Sequence, residues 1–377
     1  MDGFSLARTG AVLVKEFIQM LRDRMTFAMM VGVPIMQLLL FGYAINADPR
    51  ALPTAIVAGD NGTYARSVVR ALENSSYFRV VAWARGPAEA ERLIARGDVS
   101  FVVAIPTDFE RRLLRGERPA ILVEADASDP VATGNALAAL AQLDRTALEH
   151  DLTGPLAHLQ PGLAPFEVRV HRRYNPEGVT EFNIVPGLMG TILTMTLAMI
   201  TAIAVTREIE RGTMENLLAT PVRPAEVMLG KILPYVLVGL VQVGVILVVA
   251  TALFDVPVVG SLLVLLPCVL VFIAANLAVG FTFSTLARSQ MQAMQMSMFF
   301  FLPSMLLSGF MFPFRGMPEW AQWLGSLLPL THFLRIVRGV LLKGNGWAEV
   351  LPQLWPIAAF LTVAAAVAMM RYRRTLD

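Results

Sequence analysis

Hydrophobic and polar positions along this chain fall into long blocks rather than short alternations. Mostly apolar runs occupy residues 25–45, 184–206, 232–254, 259–286, 291–312 and 352–370. A helix needs about 20 such residues to cross a bilayer, so each run predicts a transmembrane span. Residues 1–24 follow a different period. Leu6, Leu13 and Met20 fall at heptad spacing with Phe17 on the same side, and Arg8, Lys15 and Arg22 form a second, charged stripe. That pattern predicts a helix lying in the membrane interface with its apolar face down.

Residues 46–183 read differently. From Asp48 to Glu181 the chain holds most of its acidic residues and no lysine. Short β-rich runs at Thr54–Gly59, Arg79–Trp83, Ser100–Ile105, Ile121–Glu124 and Glu167–His171 alternate with helical patterns at Thr63–Asn74, Pro87–Arg96, Thr107–Arg115 and Pro130–Leu152. Such alternation predicts an α/β domain with a central sheet covered by helices. The fold class is therefore an α-helical polytopic membrane protein of six spans with an inserted α/β domain. Composition agrees: the 377 residues are 55% hydrophobic and 16% charged, against about 45–50% and about 25% in soluble domains.

Charge placement orients the spans. Arg22 and Arg24 precede the first one and Asp48 follows it, which puts the N-terminus inside and the α/β domain outside. Arg288, between the fourth and fifth spans, and Arg371, Arg373 and Arg374 in the 371–377 tail then also fall inside. Residues 313–351 break the rule. They fall outside by count, yet they carry Arg315, Arg335, Arg338 and Lys343 among Trp320, Trp323, Phe333 and several leucines. Short re-entrant helices dipping back into the outer interface, with tryptophans at headgroup depth, account for this mixture.

Residues 207–231 form a polar cytoplasmic segment between two spans. Thr213 suits an N-cap and Glu215 the first turn of a helix. Pro221 ends that helix, and Pro224 opens a second short one. A passive tether needs no such grammar.

Chemistry is sparse. The single cysteine, Cys268, lies in an apolar run, so no disulfide forms within the chain. Asp126 and Asp129 form at most a weak ion-binding patch, and a capped turn is the simpler reading. No catalytic triad spacing or metal-ligand cluster is present, and no catalytic or metal site is expected. The Gly230-Lys231 pair lacks the remainder of a phosphate-binding loop, because Ala225 stands where its first glycine belongs. The spans carry Thr191, Thr194, Gln242, Asn276, Gln292, Gln295 and Ser308 as polar residues. These are candidates for a substrate path, although polar groups between membrane helices commonly just bond neighbouring helices. Met291, Met294, Met296 and Met298 surround the two glutamines of the fifth span, and methionine suits adaptable apolar contacts.

Three stretches carry a family resemblance. Ser308–Gly344 (SGFMFPFRGMPEWAQWLGSLLPLTHFLRIVRGVLLKG) together with the 207–231 segment resembles the ABC-2 transporter permeases. Tyr174–Glu177 (YNPE) with Phe182–Gly190 (FNIVPGLMG) is similar to the subgroup with a large extracytoplasmic domain after the first span. Lys15–Arg24 resembles that family's N-terminal connecting helix. The resemblance implies a half-transporter: two permease copies, identical or paired with a sibling, working with a pair of cytoplasmic ATP-binding subunits that hold ATP and magnesium. This chain would bind no cofactor and hydrolyse nothing itself. Glu208, Glu210, Arg211, Thr213, Glu215, Leu218 and Pro221 would then contact the ATPase, the charges pairing across the interface and Leu218 filling a groove. The implied cargo is amphiphilic, a drug-like molecule or a lipid, exported across a bacterial inner membrane with both termini cytoplasmic. The external domain would dock a periplasmic adaptor protein or gate the outer mouth. Partners are then proteins and the bilayer, not nucleic acid. The alternative reading is a membrane-anchored receptor that acts through the external domain.

Overall fold

A computed structural model describes residues 49–151, 164–210 and 224–374. The expected interfacial helix (1–24), the first expected span (25–45) and most of the 207–231 segment lie outside the described residues. What is described is an α/β unit followed by a bundle of long apolar helices.

The α/β unit runs β1 (Leu52–Ala58), α1 (Thr63–Asn74), β2 (Phe78–Trp83), α2 (Pro87–Arg96), β3 (Phe101–Ile105), α3 (Phe109–Leu114), β4 (Ala120–Asp126), α4 (Pro130–Thr146) and β5 (Glu167–Arg173). Its five strands lie in the order β2-β1-β3-β4-β5. All neighbours are parallel except β3 and β4, which pair antiparallel. Strand alternation sends Leu52, Ile56, Phe101, Val103, Ile121 and Val123 to one face, where α1, α3 and α4 cover them. Ala55 and Val102 point to the other face, where Ala90 and Ile94 of α2 meet them. Local signals set the helix ends. Pro87 opens α2, and Gly97, at φ 75°, closes it in the left-handed region that glycine tolerates. Asp60 accepts the Gly62 amide at 2.8 Å and the Glu110 amide at 2.9 Å, fastening the turn after β1 to the start of α3.

The chain leaves β5 through a sharp corner. Tyr174 and Gly178 both have φ of 69°. Between them the Asn175 carboxamide donates to the Val179 carbonyl and accepts from the Val179 amide, both at 2.8 Å. The YNPE motif is thus the hinge corner that aims the chain into the first described membrane helix.

That helix is α5 (Glu181–Glu210), followed by α6 (Pro224–Leu253), α7 (Leu262–Leu286), α8 (Gln290–Leu307), α9 (Glu319–Ser326), α10 (Pro329–Arg338, continued by a π turn to Lys343) and α11 (Trp347–Arg374). Among the described residues, α5, α6, α7 and α11 contain segments long and apolar enough to cross a membrane. Helix α8 stops at Leu307, short of the expected residue 312, because Gly309 turns the chain at φ 85°. It is also less apolar than the other spans, since Gln290, Gln292 and Gln295 occupy its first turns. Helix α11 begins five residues earlier than the expected 352, where the Glu349 carboxylate caps the Gly346 amide at 3.0 Å. Helices α9 and α10 meet at an angle of 84°, the geometry of a broken span or a re-entrant loop.

Helix α7 is the hub. Its span is 61% buried within the chain, against 17% for α6 and 11% for α11. Leu265, Cys268, Phe272 and Ile273 of α7 share one core with Leu193 and Leu197 of α5, Leu330 and Phe333 of α10 and Ile357 of α11. Phe272 and Phe333 stack with ring centroids 3.9 Å apart. Gly280 lets α5 and α7 approach closely: a Cβ there would lie 2.4 Å from the Ala198 carbonyl oxygen and 2.9 Å from the Thr201 Cβ. Gly280→Ala is therefore expected to force these helices apart at a cost of about 1–3 kcal/mol. Gly244→Ala, with no atom within 4 Å of the added carbon, should cost nothing. Thermal unfolding of the detergent-purified variants separates the two cases.

Candidate functional site

The α/β unit and the bent helix pair meet through a set of buried polar contacts. The C-terminal turn of α2 supplies carbonyls that its own helix cannot satisfy, and a helix C-terminus attracts cations. Arg315 donates to the Gly97 carbonyl, Lys343 to the Ile94 carbonyl at 3.4 Å, and the Asn345 amide to the Ala95 carbonyl at 3.1 Å. Lys343 also forms an ion pair with Asp126 at the end of β4, with the two side chains 8% and 14% exposed. Asp126 is held in turn by the Ser128 hydroxyl at 2.7 Å. The Tyr174 ring lies 5.1 Å from the Lys343 ammonium. Burial, with the negative charge of Asp126 adding to it, pushes the Tyr174 phenol up to about 12. It therefore stays neutral at working pH and serves as an aromatic face.

A second chain of contacts runs through Asn183 in the first turn of α5. Its carboxamide donates to the Ser128 carbonyl at 2.9 Å and accepts from Arg338 at 2.8 Å. Arg338 also reaches the Gly309 carbonyl at 3.3 Å, beyond the end of α8. One asparagine thus joins the turn after β4 to α5 and α10. Nearby, the ring nitrogens of His332 sit 2.8 Å from the Ser326 carbonyl and from the Gln353 carboxamide, tying α9, α10 and α11 together.

These contacts enclose a cavity of about 450 Å³. Arg315, Arg335, Arg338 and Lys343 line it, facing Asp126 and Ser100 of the α/β unit.

Comparison with known proteins decides the family. The model of the ABC-2 family transporter protein matches residues 24–370. The chain belongs to the ABC-2 transporter family. Among the family's curated members, the "Probable multidrug ABC transporter permease YbhS" of Escherichia coli K12 is 28% identical, covering 99% of this chain and 98% of its own length. The multidrug ABC transporter permease YbhR of the same organism is 26% identical over 97% of this chain and 98% of its own length. The "Inner membrane transport permease YhhJ" is 29% identical over 74% of each chain.

In this ABC-2 permease the expected ATPase-contacting residues are mostly outside the described part. Arg211, Thr213, Glu215, Leu218 and Pro221 lie there, as does the side chain of Glu208. Glu210 is described, and its carboxylate accepts the backbone amide of Gln290 at 2.8 Å and its side-chain amide at 2.5 Å. It ties the end of α5 to the start of α8.

Most of the polar span residues bond their own helix, an adjacent turn or a neighbouring helix. Thr191 and Thr194 donate to carbonyls of their own helix, at 3.1 Å to Leu188 and 2.8 Å to Gly190. Gln242 accepts from Thr196 at 3.0 Å, joining α6 to α5. Asn276 donates to the Phe272 carbonyl at 2.9 Å, while its own carbonyl oxygen is buried without a partner. Gln292 accepts the Arg288 amide at 2.6 Å and shapes the turn before α8. Gln295 is half-buried on α8. Ser308 donates to Met305 at 3.1 Å and alone of the seven lines the cavity. Sequence reasoning singled out the cations of 313–351 by their charge but missed Asn183 and the role of Asp126.

Breaking the Lys343–Asp126 pair should strand a buried carboxylate. Lys343→Met is expected to destabilise the chain by about 3–5 kcal/mol. Adding Asp126→Asn, which removes that charge and keeps an acceptor for Ser128, should recover about half of the loss. Thermal midpoints of the two single variants and the double variant close the cycle.

Proposed function

We propose that this ABC-2 permease moves an amphiphilic molecule, drug-like or lipid, out of the cytoplasm or inner leaflet. That it is the permease subunit of an ABC exporter follows from the family match over residues 24–370, and this single observation carries the reading. The names of YbhS and YbhR, multidrug ABC transporter permeases, favour drug-like cargo. The apolar walls of the helix bundle favour the same chemistry.

In this reading the chain crosses the membrane six times. Residues 25–45 form the first span, the α/β unit lies outside the cytoplasm, and α9 and α10 are re-entrant on that same face. Both termini and the 207–231 segment are cytoplasmic, in the inner membrane of a bacterium. The wide apolar surfaces of α6 and α11, little covered within one chain, suit lipid and a second permease copy. ATP and magnesium bind a separate pair of ATP-binding subunits. Glu208, Glu210, Arg211, Thr213, Glu215, Leu218 and Pro221 meet those subunits and pass their closure to the spans. The α/β unit docks a periplasmic adaptor that carries cargo onward. The receptor alternative has no observation of its own in its favour.

The test is co-purification from detergent. The wild-type permease is expected to bring down an ATP-binding subunit whose ATPase activity responds to the permease. Glu215→Arg, a charge reversal within the proposed contact, should lose that subunit or uncouple its activity by about tenfold or more, as expected when one partner of an interfacial charge pair is replaced. If no ATP-binding subunit ever accompanies the wild type, the coupling proposal fails.

A further inference from the structure

Three arginines, Arg315, Arg335 and Arg338, face the junction cavity. Arg315 spends a donor on the Gly97 carbonyl. Arg338 bonds Asn183 and Gly309, and its Nε is buried with no partner. Arg335 stacks over the Phe314 ring at 4.7 Å, next in sequence to Arg315, and otherwise stays exposed. Most carboxylates on the same wall bond another group, although the charges of Asp126 and Asp98 still act on Arg315 and those of Asp129 and Asp126 on Arg338; among these three arginines, Arg335 feels no such carboxylate. Asp126 is taken by Lys343 and Ser128, Asp129 accepts the Ala132 amide, and Glu349 accepts the Gly346 amide. Asp98 is exposed.

Clustered cations in a partly desolvated cavity repel one another unless an anion stands among them. Guanidinium groups offer planar, forked donors that match phosphate oxygens. The level of the cavity points to the source. Trp320 and Trp323 on α9, and Trp347 and Trp355 at the start of α11, are 44%, 65%, 45% and 67% exposed. Tryptophan gathers at the membrane–water interface, so this end of the bundle lies at headgroup depth.

From this we infer that the junction cavity binds the phosphate of a phospholipid headgroup, held by Arg315, Arg335 and Arg338. A lipid bound there would bridge the α/β unit and the bent helix pair and give an anionic partner to Arg335 and to the buried, unpartnered Nε of Arg338. The inference rests on the membrane reading of the chain and not on its cargo or its ATPase. It can therefore fail while the exporter reading stands.

The experiment is native mass spectrometry of the full chain in detergent, titrated separately with phosphatidylglycerol, with diacylglycerol of the same acyl chains and with inorganic phosphate. Phosphatidylglycerol should bind at least about tenfold more tightly than diacylglycerol, as one or two charge-assisted hydrogen bonds imply. Arg335→Gln should weaken it by about tenfold, and Arg335→Gln with Arg338→Gln further, while Arg92→Gln on α2 leaves it unchanged. Arg335 is exposed, so its single variant keeps the packing and decides the matter even if Arg338→Gln does not fold. Equal binding by wild type and Arg335→Gln, or equal binding of diacylglycerol, would overturn the inference and leave a water-filled cavity. Inorganic phosphate binding as tightly as phosphatidylglycerol, and lost in the same variants, would overturn the lipid assignment in favour of a soluble anion.

Discussion

A buried charge must be matched, and in this chain that requirement fastens the α/β unit to the helix bundle. Lys343 ends the π turn after α10 with its side chain only 8% exposed, so its charge needs a partner within the protein. Its partner, Asp126, comes from β4, 217 residues away in sequence. Once that pair is placed, Asn345, Arg315 and Asn183 fall within reach of the α2 carbonyls, Ser128 and Arg338. The sheet thereby becomes a platform for the bent helix pair. The contacts are polar and directional, so they fix orientation more than they add stability.

The membrane side obeys a different constraint. Backbone groups in lipid must be satisfied within each helix, and an unpaired side-chain polar group there is costly, which is why the long helices carry few of them and why threonines bond back to their own turn. Packing there is by shape. Gly280 against Ala198, and Phe272 stacked on Phe333, set how closely α7 can approach its neighbours. Because α7 touches α5, α10 and α11, a shift of any one of them is transmitted to the others through a packed core. Glu210 adds a polar link from the cytoplasmic end of α5, in the proposed topology, to the start of α8. If the 207–231 segment meets ATP-binding subunits as proposed, the described contacts offer a route from α5 through the hub to the junction.

The sequence made the α/β unit legible nearly element by element, since period and punctuation agreed. Pro87 and Gly97 bracket α2, and β-branched runs mark the strands. Helix ends in the bundle were less legible. Residues 308–312 are as apolar as the span before them, and only the backbone at Gly309 ends α8. The polar junction was half legible. Arg315, Arg335, Arg338 and Lys343 stood out because they violate the charge rule for an external segment. Asp126 did not stand out, because an acidic residue near Ser128 and Pro130 reads as a capped turn, and Asp129 does cap α4. No local pattern pairs residues more than two hundred positions apart. The span polars present the reverse problem: Thr191 and Thr194 look alike whether they meet a ligand or their own helix.

The central claim is that the α/β unit and the 207–231 segment lie on opposite sides of one membrane, joined by the hub helices. Its most direct test is accessibility to a membrane-impermeant maleimide in intact bacterial spheroplasts. Single cysteines would be introduced as Arg92→Cys and Glu215→Cys, with Cys268 replaced by serine. The account predicts labelling at position 92 in intact spheroplasts and at position 215 only after lysis. Labelling of both from the same side would contradict it.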